Sequence, residues 1–428
     1  MKSSCYNATL RTDKGEIFLV NPLYNIIARL EPWLYELWEE NQTNVSFFKE
    51  HHPNFYDYLK AKNFIIPDQI DEVEKCILKV QQNYDYNNGC LHLTINPTMD
   101  CNLRCWYCYE EHRKGSFMTN EIKESIISYV YQSLNKNKWT SVHLSFFGGE
   151  PLLGYREVII PILVSVKDIC NNFGLSFSHS YTTNGTLLTE KRINELKDIS
   201  SNLHFQIPFD GDEGLHNQTK HFGNGRGSYK KTLAAVRYLI KQRVNVSLRL
   251  NATNQNIYAF KELVKAVSDL KEYKNFNIQV QKVWQEKETE DLKRGIKEIA
   301  EFVKQLGITS NLENNGYRRV RCYADFHNNL VINYDGNVYQ CTARDFTEEN
   351  SLGKLQPNGT IIFNERYYQR KQSLIKEECH SCRLLPICPM CSQRRFETKQ
   401  RCPYNNSEQA LQENLIGYFE LKNRKKRK

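Results

Sequence analysis

The residues best suited to chemistry are the cysteines, fourteen in all, and their spacing is far from even. Three fall inside CNLRCWYC as Cys101, Cys105 and Cys108, a C-x3-C-x2-C loop. Three thiolates can bind three irons of a [4Fe–4S] cube and leave the fourth iron open to a small molecule. The same triplet with a further ligand such as His112 could instead form a tetrahedral zinc site. Seven more cysteines, Cys322, Cys341, Cys379, Cys382, Cys388, Cys391 and Cys402, follow later, four of them inside CHSCRLLPICPMC. Taken alone, Cys379, Cys382, Cys388 and Cys391 would suit a zinc ribbon, which leaves Cys322, Cys341 and Cys402 without a role. Cys5, Cys76, Cys90 and Cys170 stand apart and read as buried thiols.

Reactive loops need elements to position them. From residue 91 the pattern alternates strands with helices. Strands are expected at 91–97, 142–147, 177–182, 203–208, 244–251 and 277–283, with helices at 119–136, 155–172, 188–198, 228–242 and 257–270. Six such repeats imply right-handed crossovers and a parallel sheet, which binds ligands at the carboxyl ends of its strands. FFGGEP (146–151), TTNG (182–185) and FDG (209–211) end the second, third and fourth strands. They therefore share a rim with the cysteine loop, a convergence the zinc reading does not explain.

Before this region, residues 1–88 form an expected small α+β module: a hairpin at 9–21, helices at 28–41 and 54–62, and a polar helix at 70–84. After it, a helix is expected at 288–307. Beyond Cys322 the chain is short of apolar residues and rich in turns, with one hairpin signal in LVINYDGNVYQC. Bound metal is expected to hold that part together. The chain's 428 residues suggest two or three domains, placed at 1–88, 89–310 and 311–428. No apolar run is long enough for a bilayer, and the N-terminus lacks a signal peptide's apolar core. The expectation is a cytoplasmic protein with no membrane partner, whose cysteines stay reduced. The net charge of +9 owes much to the terminal LKNRKKRK, read as a solvated end and not as a nucleic-acid tail.

Residues 91 to about 285 resemble the radical S-adenosylmethionine (SAM) superfamily, whose motif C-x3-C-x-φ-C is met here with Tyr107 as φ. The resemblance implies a partial (β/α)6 barrel of the α/β class, one SAM-binding [4Fe–4S] cluster, and SAM itself as co-substrate. It implies that Gly148, Gly149 and Glu150 engage the methionine amino group. Thr183, Asn184 and Asp210 would lie near the ribose and the Tyr107 backbone near the adenine, with Asn251 a further contact. Peptide-modifying members often carry serine where this chain has Pro208. The later cysteines resemble a SPASM extension, although the last internal gap is x2 where the family usually has x3. That pattern implies one auxiliary cluster on Cys379, Cys382, Cys388 and Cys402, and another on Cys322, Cys341 and Cys391. The N-terminal module weakly resembles a leader-peptide recognition domain. Together these imply an enzyme that forms thioether or carbon crosslinks in a ribosomal precursor peptide, with a donor such as flavodoxin or ferredoxin. An anaerobic sulfatase maturase is the alternative. Such maturases place an aspartate after the equivalent of Cys341, where this chain has Thr342, with Asp345 three further on. A zinc-held nucleic-acid-binding module is the alternative of another class.

Overall fold

The computed structural model describes residues 1–12, 14–85, 89–310, 322–398, 402, 404 and 406–425. The chain divides into two compact units, the first Met1–Tyr86 with Asn315–Phe326 and Gln369–Lys428, the second Asn87–Asn314 with His327–Tyr368.

In the first unit, β1 (Lys2–Ser3) pairs with β5 (Ile65–Ile66), and β2 (Ala8–Arg11), β3 (Ile17–Asn21) and β4 (Ile26–Leu30) form an antiparallel meander. The first helix expected at 28–41 is thus shorter than its apolar pattern suggested. Ala28 and Leu30 are buried strand residues, and α1 (Pro32–Asn41) starts where proline takes the first helical position, whose N–H would lack a partner in any case. The helices α2 (Val45–His51), α3 (Pro53–Ala61) and α4 (Glu72–Asp85) follow. Leu19, Ala28 and Leu30 pack with Trp38, Phe48 and Leu59. Ala8, Leu10 and Val20 pack instead with Leu384, Ile387, Leu411 and Leu415. Apolar burial therefore supports the C-terminal segment, which corrects the expectation that metal alone must hold it.

The second unit rests on a period of two. Val142, Leu144 and Phe146 are buried, while Ser141, His143 and Ser145 between them are only half-buried. The same alternation runs through β9 and β11. The strands β6 (Cys90–Ile95), β7 (Ser141–Phe146), β8 (Ser176–Thr182), β9 (Leu203–Phe209), β10 (Asn245–Ala252) and β11 (Phe276–Lys282) lie side by side in chain order and parallel. Between them run α5 (Asn120–Lys136), α6 (Ile160–Asn172), α7 (Glu190–Ile199), α8 (Glu213–Thr219), α9 (Tyr229–Lys241) and α10 (Phe260–Ala266), with α11 (Glu290–Gln305) after β11. The buried set packs with the helices in one core. The other face carries polar pairs such as His143 with Ser178 at 2.7 Å and Ser180 at 2.8 Å.

Among the described residues β6 and β11 do not pair, so the barrel is partial. The outer edge of β6 takes β12 (Asn329–Ile332) in parallel, and β13 (Asn337–Tyr339), β14 (Gly353–Leu355) and β15 (Ile361–Phe363) extend the sheet antiparallel. The Asp-Gly hairpin is β12–β13. These strands cover the otherwise open edge of β6; His327–Tyr368 groups with the second unit, Gln369–Lys428 with the first. Of the four isolated cysteines, Cys76 and Cys170 are buried as expected, Cys90 is half-buried and Cys5 is exposed. No described helix is long and apolar enough to cross a membrane.

Candidate active site

The chain leaves β6 directly into the cysteine loop. Asp100 holds the loop's entry, taking Cys101 N on its side chain at 2.8 Å and Glu150 N on its carbonyl at 2.8 Å. Arg104 braces the turn, its Nη1 donating to the Cys101 and Leu103 carbonyls at 2.6 and 2.9 Å. Cys101 is buried, Cys105 half-buried and Cys108 exposed. All three line one cleft, together with Tyr107, Gly148, Gly149, Thr183, Asn184, Pro208 and Asn251. Of the three rim motifs, FFGGEP and TTNG supply lining residues, whereas no residue of FDG lines the cleft.

The motifs also interlock. Glu150, fully buried, accepts from Thr183 Oγ1 at 2.7 Å, Asn184 N at 2.9 Å and Leu152 N at 3.1 Å. It stands behind the cleft wall, tying the β7 rim to the β8 rim. Asn184 Nδ2 donates to Asn102 Oδ1 at 2.8 Å, and Asn102 Nδ2 to Thr186 Oγ1 at 2.9 Å, which ties the β8 rim to the cysteine loop. Burial raises the Glu150 carboxyl from 4.5 to about 6, against the lowering effect of its hydrogen bonds. A carboxyl raised on folding lends stability that is full below 4.5 and lost as pH rises through 6, a loss of about 2 kcal/mol. Glu150→Gln should abolish that part of the pH dependence, measured as the difference in thermal stability from wild type across pH 4.5–7.

Tyr107 has a different surrounding from the one its motif position implied. Its side chain is drawn into a buried cluster: the hydroxyl donates to Asp210 Oδ1 at 2.6 Å and accepts from Asn251 Nδ2 at 2.8 Å and Lys220 Nζ at 2.6 Å. Its carbonyl accepts from Gln285 Nε2 at 2.8 Å. Asp210 sits behind the wall, its carboxyl raised by burial and lowered by Lys220, whose Nζ lies 3.3 Å from Oδ2. Lys220 lies outside every motif read from the sequence, ten residues past Asp210. So does Glu110, whose carboxyl is buried at the cleft with no hydrogen-bond partner among the described residues. Burial first, then Asp345, raises it well above the carboxylate range. The only sequence signal for either was a charged residue near the cysteine loop or the rim. The cleft's outer wall carries Phe147, Tyr109 and Trp284, with the Arg344 guanidinium 5.7 Å from the Trp284 ring.

In the first unit, Cys379, Cys382, Cys388 and Cys402 line a cavity of about 350 Å³, and Arg395 Nη2 donates to Cys388 Sγ at 3.1 Å. Cys322 and Cys391 are hydrogen-bonded, which lowers the Cys391 thiol to about 6. Cys341 belongs to the second unit, where its sulfur accepts from Ala343 N at 3.4 Å. No group of three or more His, Cys, Asp or Glu side chains among the described residues is drawn in closely enough to hold one metal ion. The donor chemistry nonetheless suits a cluster. Three thiols face one cleft, and burial pushes the Cys101 thiol up to about 12, so its thiolate is favoured by a bound cation at neutral pH.

The family profile of the radical SAM superfamily matches residues 95–267, the span that carries the cysteine loop and all three rim motifs. Over that span the chain is similar to the radical SAM superfamily. An uncharacterised protein of Methanocaldococcus jannaschii is 26% identical over 259 residues, 59% of this chain and 85% of that protein. A cysteine-type anaerobic sulfatase-maturating enzyme of Clostridium novyi is 26% identical over 174 residues, 39% of this chain and 44% of its own length. Except for the first, the curated relatives named here are spanned over less than half their length. Among solved structures, native anSMEcpe with bound AdoMet and Cp18Cys peptide superposes with a TM-score of 0.59 at 19% identity, covering 79% of this chain and 100% of that one. Streptococcus suis SuiB bound to precursor peptide SuiA gives 0.52 at 17% identity, covering 93% and 97%. At these identities the likeness establishes the fold: an α/β partial barrel with an N-terminal α+β module and a cysteine-rich C-terminal region.

Proposed function

We propose that this radical SAM enzyme oxidises a residue of a peptide or protein substrate, using a [4Fe–4S] cluster on Cys101, Cys105 and Cys108. The observation that carries the reading is the convergence of three thiols with residues of FFGGEP and TTNG on one cleft of a half-open parallel barrel. Cys101, Cys105 and Cys108 would hold the cluster, which, reduced by a donor such as flavodoxin or ferredoxin, would supply the one-electron chemistry that turns SAM into a 5′-deoxyadenosyl radical, beyond the reach of side chains.

The chain's own residues position and protect. Gly148 and Gly149 offer bare backbone to the methionine end of SAM, while Thr183, Asn184 and Asn251 face the ribose. Asp210, behind the wall, anchors Tyr107 and Lys220 and so supports the cleft from outside it. Phe147, Val283 and Trp284 restrict water at the reacting carbon. Cys379, Cys382, Cys388 and Cys402 hold an auxiliary cluster in their shared cavity. In the N-terminal meander, the Asn7 carbonyl just before β2 and the Thr9 carbonyl within it already accept from Arg383 and Gln412 at 3.0 Å each. A leader peptide added as a strand would therefore join at β4.

Two outcomes fit this chemistry. Formylglycine formation is favoured by the likeness in sequence to a cysteine-type anaerobic sulfatase-maturating enzyme. Crosslink formation is favoured by Thr342 in place of the maturases' aspartate and by the likeness to SuiB, which reaches over 93% of the chain. Anaerobic incubation with dithionite, SAM and a cysteine-containing peptide encoded beside this chain separates them by mass spectrometry. A crosslink removes two hydrogens, and formylglycine exchanges the thiol for a carbonyl oxygen. Iron-loaded enzyme that yields no 5′-deoxyadenosine would overturn both.

A further inference from the structure

Lys220 follows α8, and its side chain is among the most enclosed cations in the second unit, 3% exposed. Its backbone is held on both sides, the N–H donating to the His216 carbonyl at 2.6 Å and the carbonyl accepting from Ser228 Oγ at 2.7 Å. The ammonium has three N–H groups. One is aligned on the Tyr107 hydroxyl at 2.6 Å and another on Cys105 Sγ at 3.5 Å, while Asp210 Oδ2 lies 3.3 Å away. A buried ion pair needs only one cation for one carboxylate, and here Tyr107 and Asn251 already bond within the same cluster. The contact with sulfur is additional to what that pairing requires.

We propose that Lys220 is a positioning residue for the cluster on the cysteine loop, directing a charged N–H at the Cys105 sulfur and so holding the cluster's reduction potential up. This rests on the reading that Cys101, Cys105 and Cys108 hold a [4Fe–4S] cluster. One-electron reduction from [4Fe–4S]2+ to [4Fe–4S]+ adds a negative charge spread over iron and sulfur. Hydrogen bonds to the ligating sulfurs favour the more negative state, and such donors are among the determinants of cluster potential. A donor carrying a full charge strengthens the bond further. In the low-dielectric wall of the cleft the effect is felt at the cluster more strongly than it would be in water.

The test is an anaerobic redox titration with dithionite, followed by electron paramagnetic resonance on the reconstituted full chain. The signal from the cysteine loop is assigned by its loss when Cys101, Cys105 and Cys108 are replaced by alanine. Lys220→Met combined with Asp210→Asn removes the cation without leaving a lone buried carboxylate. That variant should be reduced at least tenfold less favourably, about 59 mV lower for a one-electron couple. Lys220→Arg should stay within threefold of wild type. An unchanged midpoint in the double variant at full iron content would overturn the proposal. Loss of the signal in both Lys220 variants would also overturn it, because the role would then be structural. If wild type shows no reducible signal that depends on the three cysteines, the cluster reading itself fails.

Discussion

Replacing Cys101, Cys105 and Cys108 together by alanine should reduce 5′-deoxyadenosine formation to the level of a reagent blank while leaving the fold in place. The loop does not depend on its sulfurs for shape. Asp100 holds the Cys101 amide, Arg104 braces two carbonyls, and Arg104 N donates to the His221 carbonyl at 3.0 Å. Only Cys101 is buried, so each change removes a sulfur atom at little stability cost, within the range of ordinary surface substitutions for Cys108. The three variants together should therefore keep wild-type far-ultraviolet circular dichroism and thermal midpoint, lose iron from one site, and lose SAM cleavage. Retained cleavage would remove the central assignment.

Gly149→Ala should have the second-largest effect, through geometry and not chemistry. A Cβ there would stand 2.2 Å from the Asp100 carbonyl oxygen and 2.7 Å from its carbon. Both are backbone atoms, so no side chain can rotate to make room. The displaced segment is the one that starts the cysteine loop, and its carbonyl is the acceptor for Glu150 N. A shift of about 1 Å at a reacting centre can cost on the order of a hundredfold in rate, and strain of this kind belongs to the largest class of single-residue effects, about 4 kcal/mol or more. We expect SAM cleavage to fall at least a hundredfold, with weaker SAM binding by equilibrium dialysis and a lowered thermal midpoint. Gly223→Ala, where a Cβ meets nothing within 4 Å, is the matched control and should behave as wild type.

Much of this was legible in the sequence because the barrel repeats a simple pattern. Val142, Leu144 and Phe146 announce a strand, and FFGGEP announces where it stops. What escaped depended on tertiary partners. Residues 26–30 share apolar spacing with the following helix, and only Pro32 marks the break between them. The β12–β15 strands gave a hairpin signal but no sign that they would cover the edge of β6. Lys220 and Glu110 acquire their meaning from enclosure: a lysine in a turn is usually solvated, and this one becomes a buried cation only because β9, α8 and the cysteine loop meet around it. Tyr107 was read for its backbone, whereas its hydroxyl is the point where that cluster joins.

The polar inner face of the barrel has a consequence for how this protein can change. Because the apolar core lies between sheet and helices, residues that bury apolar surface and polar residues of the inner face alternate along the same strands. Substitutions at Val142, Leu144, Phe205 or Ile207 erode stability, whereas His143, Ser145, His204 and Gln206, one position away, contribute little apolar burial. The inner positions can therefore drift without unfolding the chain. A lineage could exchange one substrate for another by altering every second residue, with the radical-generating rim left untouched.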